Sequence, residues 1–292
     1  MPSRRQLLKN AAILATLGAF APLNDLWGKG MGRKFRIGAC DWSLGKASDA
    51  GAFDVARQIG LDGIMVDIGS PINKLHLRED AVQQRWREAS ARTGIKISSI
   101  AIAELNQTPY KSDPRTIEWV WDSVAVAKNL NAPVVLLAFF DKNDLRNDGP
   151  GKKEVVRRLK EVAPRAESMG VTLGIESYLN AAEHLDIIQQ VGSPNLKVYL
   201  DCRNTADAGY DPLKEIRQLG KDSICELHMK ENGFLLGEGS LDWKKISELL
   251  YELNYFGDGW MQIEWAMPDK ADLVESYRHN LRFLRELFEK QV

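Results

Sequence analysis

Short apolar runs alternate with longer amphipathic segments along most of the chain. From Phe35 onward each run is rich in Val, Ile and Leu, and each following segment repeats its apolar residues at helical spacing. Eight runs have the length and composition of buried strands: FRIGAC, GIMVDI, IKISSIAI, PVVLLAFF, VTLGIES, LKVYLD, ICELHMK and WMQIEW. Strict alternation of strands and helices predicts a parallel sheet, because each helix returns the chain across the sheet.

The segments between the runs carry start and stop signals of helices. Asp113 and Pro114 predict an N-cap and a first-turn proline, and glycines stand where helices end: Gly60, Gly94, Gly170 and Gly220. Eight such strand–helix units match the usual size of a closed (β/α)8 TIM barrel, with a doubly wound open sheet as the alternative. We therefore predict an α/β protein whose residues 35–292 form a single barrel domain.

The first thirty residues differ in character from the rest. Arg4, Arg5 and Lys9 precede an apolar run from Ala11 to Leu23, and this stretch contains no acidic residue. The run is short for a membrane-spanning helix, and the arginine pair resembles a twin-arginine export signal. We expect residues 1–30 to be a signal peptide with its linker, and the protein to be periplasmic or otherwise exported without a stable membrane anchor.

Charge and cysteine content narrow the classes of partner. The chain has 39 basic and 40 acidic side chains, a formal charge of −1, so it lacks the basic surface that nucleic-acid binding requires. Cys40, Cys202 and Cys225 form neither a disulfide framework nor a paired zinc spacing, and we expect them to be small buried residues. The oligomeric state stays open, with a homo-oligomer as one outcome.

Acidic and imidazole side chains mark the ends of the last four predicted strands: Glu176, Asp201, His228 and Glu264. The carboxyl ends of barrel strands meet at the face that carries the active site. Three carboxylates in one small pocket require compensation by protons or by a cation, and a divalent metal ion is the simpler solution. Oxygen-rich ligation with one histidine suits Mn²⁺, Mg²⁺ or Co²⁺, and Zn²⁺ is less favoured. The sequence therefore predicts a site for one divalent metal ion.

Other residues are placed around this predicted site by strand alternation. Lys230 shares a strand face with His228, which favours contact with a substrate oxygen, although an ion pair at the rim is the alternative. One layer deeper, Glu226 and Gln262 face inward at the depth of Tyr199. Glu226 is a candidate partner for the second ring nitrogen of His228, or part of a structural network in the barrel.

Aromatic residues near strand ends predict an apolar wall beside this site, with plain packing at the rim as the alternative: Trp42, Phe140, Tyr178 and Trp265. The remaining histidines, His76, His184 and His279, fall in predicted loops or on helix surfaces, and we assign them no role.

The chain resembles the xylose-isomerase-like barrel superfamily of sugar phosphate isomerases and epimerases. The likeness covers nearly the whole chain after the signal and rests on the motifs LGIES, VYLDCRN, ELHMKE, LGEGSLDW and MQIEW. In ketose epimerases of that superfamily, the matching Glu, Asp, His and Glu bind one divalent metal and the two glutamates exchange protons with the substrate. The resemblance implies the same ligand set here and implies that Glu176 and Glu264 are the acid/base pair.

Two positions depart from the epimerase pattern. Those enzymes often carry a histidine three residues after the metal aspartate and an arginine six residues after the metal histidine, where this chain has Asn204 and Phe234. Asn204 and its neighbour Arg203 remain candidates for hydrogen bonds to a substrate. The departures weaken the expectation of a ketohexose epimerase but leave the metal site intact.

The predicted reaction is proton abstraction next to the carbonyl of a small sugar or keto-sugar. A metal polarises the carbonyl, one carboxylate removes the proton, and the metal-stabilised enediolate takes a proton back from the other. We predict a metal-dependent sugar isomerase or epimerase. A lyase or hydratase acting on 3-keto-glycosides in the same site is the first alternative, and a non-catalytic sugar-binding barrel is the second.

Overall fold

Eight parallel strands close into a barrel in which every strand pairs with its neighbours in sequence and the first pairs with the last. The computed structural model describes residues 35–255 and 259–289, so the predicted signal peptide of residues 1–30 lies outside the described residues. The strands are β1 Arg36–Cys40, β2 Gly63–Asp67, β3 Lys96–Ile102, β4 Val134–Phe139, β5 Thr172–Ser177, β6 Leu196–Asp201, β7 Ile224–Lys230 and β8 Trp260–Glu264. This confirms the predicted TIM barrel and excludes the open sheet.

Helices follow the strands and cover the outside of the barrel. In the described part they are α1 Ala52–Ile59, α2 Asp80–Thr93, α3 Arg115–Leu130, α4 Gly149–Met169, α5 Ala181–Val191, α6 Cys202–Asp207, α7 Pro212–Leu219, α8 Trp243–Glu252 and α9 Leu273–Glu289. Gly60 and Gly94 end α1 and α2 in the left-handed conformation, as predicted. No helix within the described ranges is both long enough and apolar enough to cross a bilayer.

The predicted start of α3 is wrong by one residue. The helix begins at Arg115, so Pro114 occupies the N-cap position, and the Asp113 carboxylate accepts the backbone N–H of Arg115 from one position further out. The Asp113 carboxylate therefore still accepts a hydrogen bond from one of the free N–H groups at the start of the helix.

The strands are buried on both faces, which explains their continuous apolar runs. Every residue of β2, β4 and β8 is buried, because one face packs under the helices and the other fills the barrel. The inner face divides into two halves. Strands β1 to β4 contribute small or apolar side chains such as Cys40, Met65, Ala101 and Ala138, whereas β5 to β8 end in the polar residues of the predicted site.

The three cysteines are free thiols. Cys40 and Cys202 are fully buried, as expected, and Cys225 is half-buried.

Candidate metal centre

Four side chains from consecutive strands meet inside the carboxyl end of the barrel: Glu176 of β5, Asp201 of β6, His228 of β7 and Glu264 of β8. Their ligand atoms all lie within 4.8 Å of one another. The strand register produces this convergence, because Asp201 is paired with His228 across the β6–β7 ladder. Each of the four is at most 7% exposed. The structure thus brings together all four residues that the sequence predicted as metal ligands.

The imidazole of His228 presents one nitrogen to the carboxylates and the other to the barrel interior. Its Nδ1 lies 2.9 Å from Glu176 Oε1, 3.7 Å from Glu264 Oε2 and 4.0 Å from Asp201 Oδ2. Its Nε2 lies 3.4 Å from the thiol sulfur of Cys40. Nδ1 is therefore the nitrogen available to a metal at the centre of the cluster.

In each of two carboxylates, one oxygen accepts hydrogen bonds from the protein and the second oxygen accepts none. Asp201 Oδ1 accepts the backbone N–H groups of Arg203 and Asn204 at 2.7 and 2.9 Å, and Glu264 Oε1 accepts the indole N–H of Trp42 at 2.9 Å. Asp201 Oδ2 and Glu264 Oε2 are buried and accept no hydrogen bond, although Lys230 Nζ forms an ion pair with Glu264 Oε2 at 3.0 Å.

A buried oxygen that accepts no hydrogen bond, as Asp201 Oδ2 does, is costly, and a cation beside it would remove that cost. Carboxylate oxygens with one imidazole nitrogen are the ligands that Mn²⁺, Mg²⁺ or Co²⁺ accept. The residues present therefore fit a divalent metal ion.

The electrostatics of the cluster are dominated by burial and by the crowding of charges. Burial, together with the charge of Glu176, raises the pKa of Asp201 to about 7 despite the attraction of Lys230. Burial disfavours the imidazolium of His228, yet Glu176 and the other nearby acidic groups outweigh it and raise the pKa well above the usual histidine range. For Glu264, burial opposes ionisation, but His228 and Lys230 prevail and lower the pKa.

A cavity of about 300 Å³ opens above the four ligands. Asn204 and Lys230 line it, and both contact ligand carboxylates: Asn204 Nδ2 donates to Glu176 Oε1 at 3.1 Å, and Lys230 Nζ lies 3.8 Å from Asp201 Oδ2. The four aromatic residues predicted to form a wall also line the cavity: Trp42, Phe140, Tyr178 and Trp265. The cavity thus has a polar floor and a largely aromatic side.

Arg203, a predicted candidate for hydrogen bonds to a substrate, is not among the residues that line this cavity. Its guanidinium pairs with Asp207 and donates to Ser240 Oγ at 2.7 Å, on the outer side of α6. Successive residues of an α-helix point about 100° apart. Because Asn204 turns inward to Glu176, Arg203 is directed away from the site.

The predicted layer beneath the ligands is present, but its contacts differ from those expected. Glu226 accepts the phenol O–H of Tyr199 at 2.9 Å, and Gln262 is fully buried in the same layer. The second nitrogen of His228 meets the Cys40 thiol instead of Glu226. The sequence predicts Cys40 to be a small buried residue and does not predict this contact. The one available signal is the position of Cys40 at the end of its strand.

The acids that end β1 and β2 organise the rim and do not join the metal cluster. Asp41 Oδ2 accepts the backbone N–H groups of Ser48 and Asp67 at 3.0 Å each, and Ser48 Oγ donates to Asp67 Oδ2 at 3.0 Å. Burial raises the pKa of Asp67 to about 6, and burial with the charge of Asp67 raises that of Asp41. This network ties the first two βα loops together.

His184 is buried, and the prediction of a surface position is wrong. It packs from α5 onto β5, where its Nε2 lies 2.9 Å from Ser177 Oγ and its Nδ1 lies 3.1 Å from the carbonyl oxygen of Asn180. Burial lowers the pKa of His184 to about 4. The side chain is therefore a neutral structural group.

The chain is similar in sequence to one protein family and to two proteins named as epimerases. The profile of the family described as "Xylose isomerase-like TIM barrel" matches residues 53–287. A 2-epi-5-epi-valiolone 7-phosphate 2-epimerase from Actinoplanes sp. is 25% identical over 197 residues, which are 67% of this chain and 72% of that protein. A D-psicose 3-epimerase from Enterocloster bolteae is 32% identical over 128 residues, covering 40% of this chain and 42% of that protein.

A solved structure shares the whole barrel. A D-psicose 3-epimerase crystallised in the presence of D-fructose superposes with a TM-score of 0.74 at 19% identity, covering 87% of this chain and 100% of that one. At 19% identity, this similarity shows only that the two proteins share the barrel fold.

Proposed function

Because the chain belongs to the xylose isomerase-like TIM barrel family, we propose that it is a divalent-metal-dependent sugar epimerase or isomerase. The proposed reaction moves a proton on a carbon next to a carbonyl group. The observation that carries the proposal is the meeting of Glu176 and Glu264 at one buried cluster and one cavity, from strands separated by β6 and β7. The epimerase names of both curated relatives support the same reaction class.

The metal would be held by Glu176, Asp201, His228 and Glu264, whose carboxylate oxygens and imidazole Nδ1 face one another within 4.8 Å. A divalent cation there supplies Lewis acidity toward a carbonyl oxygen and compensates for developing negative charge. Trp42 and Asn204 fix the orientation of the two glutamates by donating to Glu264 Oε1 and Glu176 Oε1.

The protein's own groups supply the proton transfer. Glu264 is kept ionised because His228 and Lys230 lower its pKa against the effect of burial, so it is prepared to accept a proton. Glu176, once it has taken up a proton from solvent, would protonate the resulting enediolate on the opposite face, which gives the epimer, and Glu264 would release the abstracted proton to solvent. Lys230, which lines the cavity, places a positive charge beside the reacting atoms.

Exchange of carbon-bound hydrogen with solvent tests this proposal. Protein loaded with Mn²⁺ is incubated in D₂O with a panel of ketoses, and deuterium at the carbon beside the carbonyl is followed by NMR. Glu176→Gln and Glu264→Gln keep the shape but remove the base, so each should slow exchange about 100-fold to 10,000-fold. Glu88→Gln, at an exposed site on α2, is the matched control and should exchange like the wild type.

The products separate the proposal from its alternatives. Epimer formation with the glycosidic bond intact supports the epimerase. Release of an aglycone from a 3-keto-disaccharide would replace it with the lyase. Sugar binding to metal-loaded protein without hydrogen exchange on any substrate would leave a binding barrel and end the catalytic proposal.

Export is part of the proposal and rests on the pattern of residues 1–30. Replacing Arg4 and Arg5 with lysine should leave the protein in the cytoplasm, as measured by cell fractionation. Periplasmic recovery of the double-lysine protein equal to that of the wild type would contradict twin-arginine export.

A further inference from the structure

The cavity above the metal ligands is built for a neutral sugar. We infer that it binds unphosphorylated ketoses or keto-sugars in preference to their phosphate esters. This inference rests on the proposed function, since it concerns the substrate of the same site. It separates this chain from the Actinoplanes relative, whose name specifies a 7-phosphate.

The cavity offers a phosphate no uncommitted cation. Among the described residues that line it, Lys230 is the one lysine or arginine. Its ammonium lies 3.0 Å from Glu264 Oε2 and 3.8 Å from Asp201 Oδ2, and 14% of its side chain is exposed. A phosphate dianion is held best by arginine forks or by several free N–H donors. Binding one here would require Lys230 to leave two buried carboxylates.

The arginines nearest the rim are already neutralised. Arg146 stacks over the ring of Tyr178, 4.6 Å from its centroid, and its guanidinium is bonded to the carboxylate of Asp144 at 2.6 and 2.9 Å. Arg203, next to Asn204 in the chain, is paired with Asp207. Neither guanidinium presents an unopposed positive charge to the cavity.

The helix N-termini after β7 and β8 are capped by the protein's own carboxylates. TIM barrels frequently bind phosphate at the loops after strands seven and eight, where helix N–H groups are free. Asp242 directly precedes α8 and accepts the N–H of Lys245 at 3.1 Å. Asp272 directly precedes α9 and accepts the N–H of Glu275 at 2.9 Å. An incoming phosphate would meet a negative charge at each of these positions.

The loop after β7 contains a further carboxylate in place of an anion site. Glu231 is 1% exposed, and its Oε1 accepts the indole N–H of Trp243 at 3.0 Å and the backbone N–H of Leu241 at 3.2 Å. A Cβ atom on Gly239 would lie 2.1 Å from Glu231 Oε2, so the loop closes tightly over this side chain. The backbone N–H of Leu241 and the indole N–H of Trp243 are therefore used by Glu231 and not offered to a phosphate.

The opposite wall favours an uncharged ring. Phe140 and Tyr178 form an edge-to-face pair with centroids 4.8 Å apart, and Trp265 is 48% exposed at the same cavity. Aromatic surfaces with a few fixed polar groups are typical of sites for neutral ligands with one apolar face. The C–H face of a sugar ring fits this wall, and the hydroxyl groups would face the polar floor.

Matched sugar pairs test the inference. Binding of D-fructose and D-fructose 6-phosphate, and of D-xylulose and D-xylulose 5-phosphate, is measured by calorimetry on the Mn²⁺-loaded protein, with hydrogen exchange as a parallel readout. We expect the neutral member of each pair to bind at least about tenfold more tightly, because the phosphate finds acidic neighbours and no free cation. Equal or tighter binding of either phosphate ester, or failure of both neutral sugars to bind, would overturn the inference.

A charge added at the mouth gives a second measurement. Trp265→Lys should reduce the preference for the neutral sugar, whereas Trp265→Met, which removes the ring without adding charge, should weaken both members of a pair alike. An unchanged ratio in the lysine variant would contradict the electrostatic argument. Failure of the proposed function gives a different pattern, in which neutral sugars bind preferentially but no hydrogen exchanges. Exchange with phosphate esters alone would sink this inference and leave the proposed function standing.

Discussion

Metal binding should release protons, and their number should depend on pH. A histidine ligand must be neutral and a carboxylate ligand ionised before either can hold a metal. Without metal, the acidic groups around His228 outweigh its burial and raise its pKa well above the usual range, so we expect the imidazole to keep its proton to higher pH than an ordinary histidine. Burial raises the pKa of Asp201 to about 7, so this carboxyl carries a second proton at lower pH.

The magnitude follows from these two groups. At pH 8 about one proton, that of His228, should leave for each metal bound, and at pH 6 about two should leave, because Asp201 is then protonated as well. Protons compete with the metal, so affinity falls as pH falls. The expected slope is about tenfold per pH unit near pH 8 and about 100-fold per unit near pH 6.

Calorimetric titration with Mn²⁺ in buffers of different ionisation enthalpy counts the protons directly. The control is Asp201→Asn, which binds metal more weakly but should release about one proton at both pH values, because the second titrating group is gone. Release of equal numbers of protons by the wild type at pH 6 and pH 8 would refute the assignment of Asp201. Absence of proton release at pH 8 would refute that of His228.

Three further outcomes are expected. Cys40→Ala removes the partner of His228 Nε2 and should weaken Co²⁺ binding about 10-fold to 100-fold, measured by absorbance titration, whereas Cys40→Ser keeps an acceptor and should stay close to the wild type. Lys230→Met removes a cation that lowers the pKa of Glu264, so the acid limb of the kcat/KM profile should move to higher pH, and an unmoved limb would contradict the pairing. The folded-state pKa of His184, about 4, lies below its unfolded value, so its contribution to stability is present above pH 6.5 and is lost as pH falls toward 4. Between pH 7 and pH 5 the wild type should therefore lose about 2 kcal/mol more than His184→Gln in urea unfolding, and equal losses would count against burial of a neutral histidine.

The fold could be predicted because its strands are buried on both faces and its helices on one. The run ICELHMK coincides with β7, Ile224–Lys230, since five of its seven positions are buried against the helices or the barrel interior. The candidate ligands could be predicted for a related reason. Parallel strands of similar length bring their last residues to one end, so Asp201 and Glu264 had to meet once the barrel closed.

Two kinds of feature could not be predicted: the direction in which a side chain points around a helix axis, and contacts between strands across the barrel. Arg203 and Asn204 are adjacent in sequence, yet the helix that begins between strand and loop sends one outward and the other to Glu176. Cys40 and His228 are 188 residues apart and touch only because β1 closes against β8 and faces β7 across the interior. No local pattern encodes such a contact, and the burial of His184 likewise depends on how α5 packs on β5.

The division of the barrel interior leaves room beside the candidate metal ligands. The ligands come from β5 to β8, while Leu136 and Ala138 of β4 and Ala103, which follows β3, line the cavity. If both halves carried large polar side chains, Asp201 Oδ2 would find a hydrogen-bond partner within the protein, and the cavity would be filled. The small apolar half therefore keeps one side of the cluster open, and Glu176 and Glu264 both reach the cavity from the other side.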